Sequence, residues 1–411
     1  MRMTHPLRSP IPAARRRPAT AAAVVRGFTL VELMVGLLLG MLAVLAITQV
    51  MAFSEGRKRT VASGSDAQVN GALAVFALQR DLEMAGYGLS ARPSALGCPL
   101  VGSLTGGTPS STQAFAATLA PVVITANPTS GMPDTLTVLS ARKTSYAVPL
   151  IVSAMSSDYF TVTSSLGVAA GDLMAFIPQT VAGLPAWSAT VPCRLFSVTD
   201  DGLGSVSNTA LWALRVPHAS GGNPSWNEGT ANTDLLAVST QANVSVPNSY
   251  LLNLGSLGFS AYTVDTASRS LQVTTRTATA GGSTSTLFPQ IVNMQALYGK
   301  DTNNDRTVDA YDKTVPADWT QVLSIRIAVV ARSAQYEKDV VTDVNNSPVW
   351  DLGASNSAVP GAVACNNGSQ CLPMKVDYLS EGGDANAWKH YRYRVYDTTV
   401  PLRNIIWNAG S

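Results

Sequence analysis

Reactive side chains are scarce in this chain. Its 411 residues include three histidines, His5, His218 and His390, far apart in sequence. No H-E-x-x-H, G-x-S-x-G or phosphate-binding glycine loop occurs, so the usual short signatures of zinc peptidases, serine hydrolases and nucleotide enzymes are missing. Charge is sparse as well, at 13% of residues, while apolar residues reach 46%. Such a chain is too apolar for disorder and has ample material for a core. The abundance of Ser, Thr, Gly and Ala in the middle of the chain predicts a loop-rich, β-rich domain of extracellular type.

The formal charge of +2 hides an asymmetry. Residues 1–27 carry six arginines (Arg2, Arg8, Arg15, Arg16, Arg17 and Arg26) and no acid. The remainder holds 22 basic against 26 acidic side chains, a formal −4. Net charge therefore gives no indication of a nucleic-acid surface.

The four cysteines, Cys98, Cys193, Cys365 and Cys371, form an even set. In an exported protein that predicts two disulfides, and sequence alone allows three connectivities. CNNGSQC is a short polar loop that closes at little entropic cost, so Cys365–Cys371 is expected and Cys98–Cys193 follows. No CxxC pair or nearby histidine favours zinc instead.

The other pronounced feature is an apolar run. Leu33 to Ile47 is uninterrupted by any polar side chain, and Phe28 to Phe53 is long enough to span a bilayer as a helix. The leader's arginines place its N-terminal side in the cytoplasm, and the fewer cations Arg57, Lys58 and Arg59 do not reverse that. Two details separate this segment from an ordinary secretory signal. No A-x-A site occurs from Val44 to Gly56, and a carboxylate, Glu32, lies inside the apolar segment, where an ionisable group is costly.

RGFTLVEL (26–33) resembles the type IV prepilin cleavage motif. The resemblance implies cleavage between Gly27 and Phe28 by a prepilin peptidase, with N-methylation of Phe28. Glu32 becomes the fifth mature residue, able to neutralise the new α-ammonium on its own chain or a neighbour, and so an assembly residue. DLEMAGYG (81–88), YGKDTNNDRTVDAYD (298–312) and RYRVYDTTVPLRN (392–404) resemble stretches of PilW-type minor pilins, which extends the likeness along the whole chain. The related J-type minor pseudopilin of type II secretion is the nearest alternative. An anchored periplasmic enzyme or solute-binding protein is the alternative from another class.

The implied fold is α+β: a pilin-like long N-terminal helix on a β-rich globular head. Expected boundaries are a leader at 1–27, a membrane and filament-core helix at 28–54, an amphipathic continuation at 55–86 and a head at 87–411. Two stripes at helical spacing support the continuation: Val69, Leu73 and Phe76, and Val75, Leu78 and Leu82. Gly86 and Gly88 supply a stop, and a break near Ser54–Gly56 or Ser63–Gly64 is the competing reading. Beyond Gly88 the sequence predicts strands and loops only, with strands at 135–141, 159–165, 270–277, 322–333 and 390–396. Long loops are predicted at 102–113 and 220–230. Trp212, Trp226 and Trp319 are expected in the core.

DTNNDRTVDAYD (301–312) has the spacing of a twelve-residue calcium loop and resembles those of dockerins. Its oxygens would come from Asp301, Asn303, Asp305, the Thr307 carbonyl, Asp309 and Asp312. Arg306 stands where such loops place glycine, a position whose left-handed backbone costs a side chain about 1–2 kcal/mol. Calcium is the one cofactor expected. No catalytic residue is expected. The partners implied by the resemblance are other minor pilins, the major pilin, the prepilin peptidase, an inner-membrane assembly platform and a tip adhesin. The implied location is the inner membrane with a periplasmic head, and then the pilus.

Overall fold

The computed structural model describes residues 27–89, 92–107, 111–143, 148–199, 214–220, 225–227, 230–354, 359–365 and 368–407, with backbone alone at 56–57, 59–63 and 230–232. The arginine-bearing leader up to Arg26 and Trp212 lie outside them. The chain divides into two compact units, Met1–Arg59 and Thr60–Ser411.

Helix α1 (Leu30–Met84) runs for 55 residues and crosses that division without an interruption in its helical assignment. In the first unit its large apolar side chains, from Phe28 to Phe53, are each 52–83% exposed. Leu30–Glu55 has a mean hydropathy of 2.6 and is long and apolar enough to cross a membrane.

In the second unit α1 becomes selective. Ala67, Ala74, Leu78 and Leu82 are buried and recur at spacings that keep them on one helical face. Full burial of Leu78 and Leu82 stabilises by about 1.5–3 kcal/mol each. Of the two stripes read from the sequence, Leu78 and Leu82 turn inward with Val75 half-buried, whereas Val69, Leu73 and Phe76 remain exposed. Gly71 explains how closely the helix approaches the sheet beneath it. A Cβ there would stand 2.3 Å from the Tyr396 ring and 3.1 Å from Ala331 Cβ. The helix ends as the glycines require: Gly86 and Gly88 both take positive φ, and Gly86 N–H donates to Leu139 O.

Four sheets build this unit among the described residues. The five-stranded sheet runs in the order Ser283–Pro289, Ser270–Arg276, Gly258–Asp265, Thr135–Ser140, Val122–Thr125. Neighbours in it are antiparallel. The four-stranded sheet has the order Ala310–Asp312, Ile291–Lys300, Val322–Arg332, Tyr393–Pro401, again antiparallel. Its central strand Val322–Arg332 is buried at all but one position, which accounts for its near-continuous apolar sequence. Ile325, Ile327 and Val329 share the main core with the inner face of α1. Ala328 and Val330 face a second core holding Trp350 and Trp388. A three-stranded sheet, Val349–Gly353, Gln370–Pro373, Val363–Ala364, contributes to that second core.

The eight-stranded sheet contains Gln113–Thr118, Pro99–Leu104, Cys193–Ser197, Leu173–Ile177, Tyr250–Gly255, Leu150–Met155, Tyr159–Val162 and Arg215–Pro217. It buries Phe160, Phe176 and Phe196 as one aromatic group. Three expectations change. Residues 102–104 belong to a strand, because Gly102 fits beneath Leu195 and the Trp226 ring and the segment pairs with 113–115. Helices α2 (Thr230–Ser239) and α3 (Arg403–Ile406) interrupt the region read as strands and loops. The C-terminal strand begins at Tyr393, the residues before it forming a 3-10 turn at Ala387–His390. Trp226 and Trp319 are buried.

Candidate functional site

The N-terminal motif forms the start of α1. Thr29 Oγ1 accepts from the Glu32 N–H at 3.2 Å and lies 3.5 Å from Glu32 Oε2. Thr29 thereby caps one of the first free N–H groups of the helix, while the Glu32 carboxylate meets the Thr29 hydroxyl and no backbone N–H. A carboxylate in the first turn also interacts favourably with the helix dipole. The side chain that the resemblance assigns to assembly is therefore placed by helix-start chemistry. The T-x-x-E spacing in FTLVE was the available signal for that second role. Phe28 is 83% exposed, and open space surrounds Gly27.

The acidic loop joins Ile291–Lys300 to Ala310–Asp312. Asp301, 4% exposed, organises it. Its Oδ1 accepts from the N–H groups of Asn303 (3.3 Å) and Asp305 (3.2 Å), and its Oδ2 from Arg306 N–H (2.7 Å). Arg306 takes φ +68° and Asn304 φ +62°, so the chain adopts the left-handed turn despite the side chain. Asp309 accepts from Thr302 N–H (2.7 Å) and Oγ1 (2.9 Å). Asn303 Nδ2 donates to Asp305 (3.2 Å) and Asp309 (3.4 Å). Hydrogen bonds from the Thr307 hydroxyl and N–H hold the Asp305 carboxyl below the usual aspartate range.

Asp312 stands apart from this set. It accepts from Lys300 Nζ at 2.7 Å and Thr314 N–H at 2.7 Å. The next residue, Lys313, reaches inward to Asp134 at 2.6 Å, a carboxylate that also accepts from the Asn127 and Ala296 N–H groups. Two lysines thus pin the loop's exit strand to the head.

Cys98–Cys193 and Cys365–Cys371 are disulfides with Cα separations of 6.0 and 5.8 Å. Cys98 precedes Pro99–Leu104 and Cys193 opens the neighbouring parallel strand, so the bond ties two segments 95 residues apart. Among the described residues, one group of three metal-capable side chains comes together: Asp351, Cys365 and Cys371. Its two sulfurs are already bonded to each other.

The C-terminal stretch explains itself through α1. Leu402 is buried, its N–H donating to Leu323 O. Asn404 Nδ2 donates at 2.9 Å to Ala85 O, a carbonyl just past the end of α1.

Residues 261–404 match the family model of the Type IV Pilus-assembly protein W. The matched region contains the four-stranded and three-stranded sheets, the acidic loop and Asn404. It includes two of the three stretches that carried the resemblance, 298–312 and 392–404, and bears out the PilW-type likeness. The match supports a part in type IV pilus assembly. No curated protein and no solved structure matches the chain.

Proposed function

We propose that this chain is a prepilin that matures into a minor subunit of a type IV pilus and helps prime assembly at the tip with other minor pilins. The observation that carries the reading is one chain holding both halves of the description. A PilW-type match covers 261–404, and among the described residues one helix long and apolar enough to cross a membrane begins at Leu30, within Gly27-Phe28-Thr29-Leu30-Val31-Glu32. In this reading the peptidase removes residues 1–27 and methylates Phe28. The head lies in the periplasm while α1 anchors the subunit in the inner membrane. Extraction into the growing filament exchanges lipid for neighbouring helices around Phe28–Phe53. The exposed Val69, Leu73 and Phe76 offer such neighbours a further apolar face on the same helix.

Glu32 has two roles in this account. Its backbone N–H and carboxylate begin the helix with Thr29, and its charge pairs with the Phe28 ammonium created by cleavage. Leaving that ammonium unpaired in a low-dielectric bundle costs several kcal/mol before relaxation. The experiment is complementation of a strain lacking this subunit with Glu32→Ala. The expected result is normal cleavage and membrane insertion with reduced pilus number. Wild-type piliation by the alanine variant would remove Glu32 from the assembly role.

The acidic loop is proposed to take one structural calcium ion. Its conformation fits the ion in one specific respect: Arg306 adopts the left-handed backbone and donates its N–H to Asp301, the first-position carboxylate. The residues that would hold calcium are Asp301, Asn303, Asp305, Asp309 and the Thr307 carbonyl. Asp312 joins them only by leaving Lys300. The ion would draw these carboxylates together, neutralise them and order the loop.

A further inference from the structure

At the junction of the eight-stranded sheet with the loop 180–184 lies a cavity of about 310 Å³. Its polar groups do not fit an apolar occupant. Arg92 lines it, with its guanidinium carbon 5.4 Å from the centre of the Tyr250 ring. No carboxylate lines it among the described residues. The Tyr250 hydroxyl pairs with Ser94 Oγ at 3.4 Å, and burial raises its pKa, so it is a neutral donor and acceptor at physiological pH.

Gln179 is the most informative member. It lines the cavity although only 2% of its surface is exposed. Its Nε2 donates to Pro178 O at 3.2 Å, which fixes the amide orientation. Among the described residues no donor reaches its Oε1, which is left to accept from an occupant of the cavity. Asn248 lies beside it and uses its Nδ2 on the carbonyls of Thr180 (3.4 Å) and Val181 (2.7 Å). Its Oδ1 is thereby left as a second acceptor. One wall is apolar, formed by the exposed Ile151 and Val181.

We infer that this cavity binds an acidic monosaccharide unit, a hexuronate-type sugar. The argument is one of matched chemistry. A single unpaired cation selects one carboxylate and binds it by charge-assisted hydrogen bonds. Two amide oxygens and two hydroxyls accept from sugar hydroxyls, and the apolar wall receives the C–H face of a pyranose ring. The volume is at the lower end of small-ligand sites, which suits one sugar residue. This site does not depend on the pilus reading, since its residues lie outside 261–404 and away from α1.

The test is titration of glucuronate into the full chain in a phosphocholine detergent, which has no sugar headgroup, followed by saturation-transfer NMR. Glucuronate should bind in the millimolar range, and glucose at least tenfold more weakly. Arg92→Ala should lower glucuronate affinity about tenfold, and Arg92→Lys should restore part of it through charge alone. Arg92 is exposed, so its loss should leave the melting temperature unchanged. Equal binding of glucose and glucuronate would overturn the proposal. So would an Arg92→Ala variant that binds glucuronate as wild type, or no transfer signal from glucuronate at tens of millimolar.

Discussion

The two halves of α1 are made from similar residues and treated in opposite ways. Between Phe28 and Phe53 every large apolar side chain is at least half exposed. Between Ala67 and Ala85 one face is buried against strands of the same chain. Hydrophobicity alone therefore does not say what a helix packs against. The first half is apolar all round, the signature of a helix whose surroundings are themselves apolar. The second is apolar on the inner face and mixed outside, with Ser65, Asp66, Gln68 and Arg80 facing water. The protein supplies one environment, and the first half is long and apolar enough to take a membrane as the other.

The largest test of that contrast is a pair of identical substitutions. Leu78→Ala empties a fully buried position and should destabilise the head by about 2–5 kcal/mol. Leu38→Ala, at a position 60% exposed, should leave the thermal melting of the head unchanged. Equal effects at both sites, read by melting of the purified chain in detergent, would break the comparison.

Glycine gives a second pair. Gly71→Ala sets a methyl against the Tyr396 ring, and the overpacking should cost about 1–3 kcal/mol. Against a gain of roughly 1 kcal/mol in helix propensity, the net effect should run from about zero to about 2 kcal/mol of destabilisation. Gly40→Ala meets nothing within 4 Å, so it should not lower head stability at all. A stabilising Gly71→Ala would mean that the helix can lift from the sheet without loss.

A third effect, dependent on an added ion, lies in the acidic loop. Calcium at a hundredfold above its dissociation constant should stabilise the head by about 2.7 kcal/mol at most, with affinity on the order of 10⁻⁴–10⁻³ M. Melting with calcium and with chelator measures it, and Asp305→Ala should abolish the shift. No shift in wild type would leave a loop held by its own hydrogen bonds. A shift that survives Asp305→Ala would place the ion elsewhere.

Much of the architecture was legible in sequence because it depends on local pattern. Period and glycine placement gave α1 and its end, partly alternating β-branched runs gave the strands at 135–140 and 270–276, and a strongly apolar run gave that at 322–332. The face of the helix was not legible. Leu78 and Phe76 are both apolar residues at helical spacing, and only the approach allowed by Gly71 decides which one is buried. Helix α2 was hidden because TANTDLLAVS carries no charge pair or strong cap to mark it. In the acidic loop the spacing was visible, but Lys300 taking Asp312 depends on a pairing across the hairpin that spacing does not show. Asn404 is similar: its partner Ala85 lies 319 residues away.

The central claim is that Gly27–Phe28 is a processing site and the helix after it an assembly element. The direct measurement is intact-mass and N-terminal peptide analysis of the chain recovered from membranes of its native host. The account predicts a mature chain beginning at Phe28 and carrying one N-methyl group. A mature chain beginning beyond residue 45, or one that retains the leader, would contradict it.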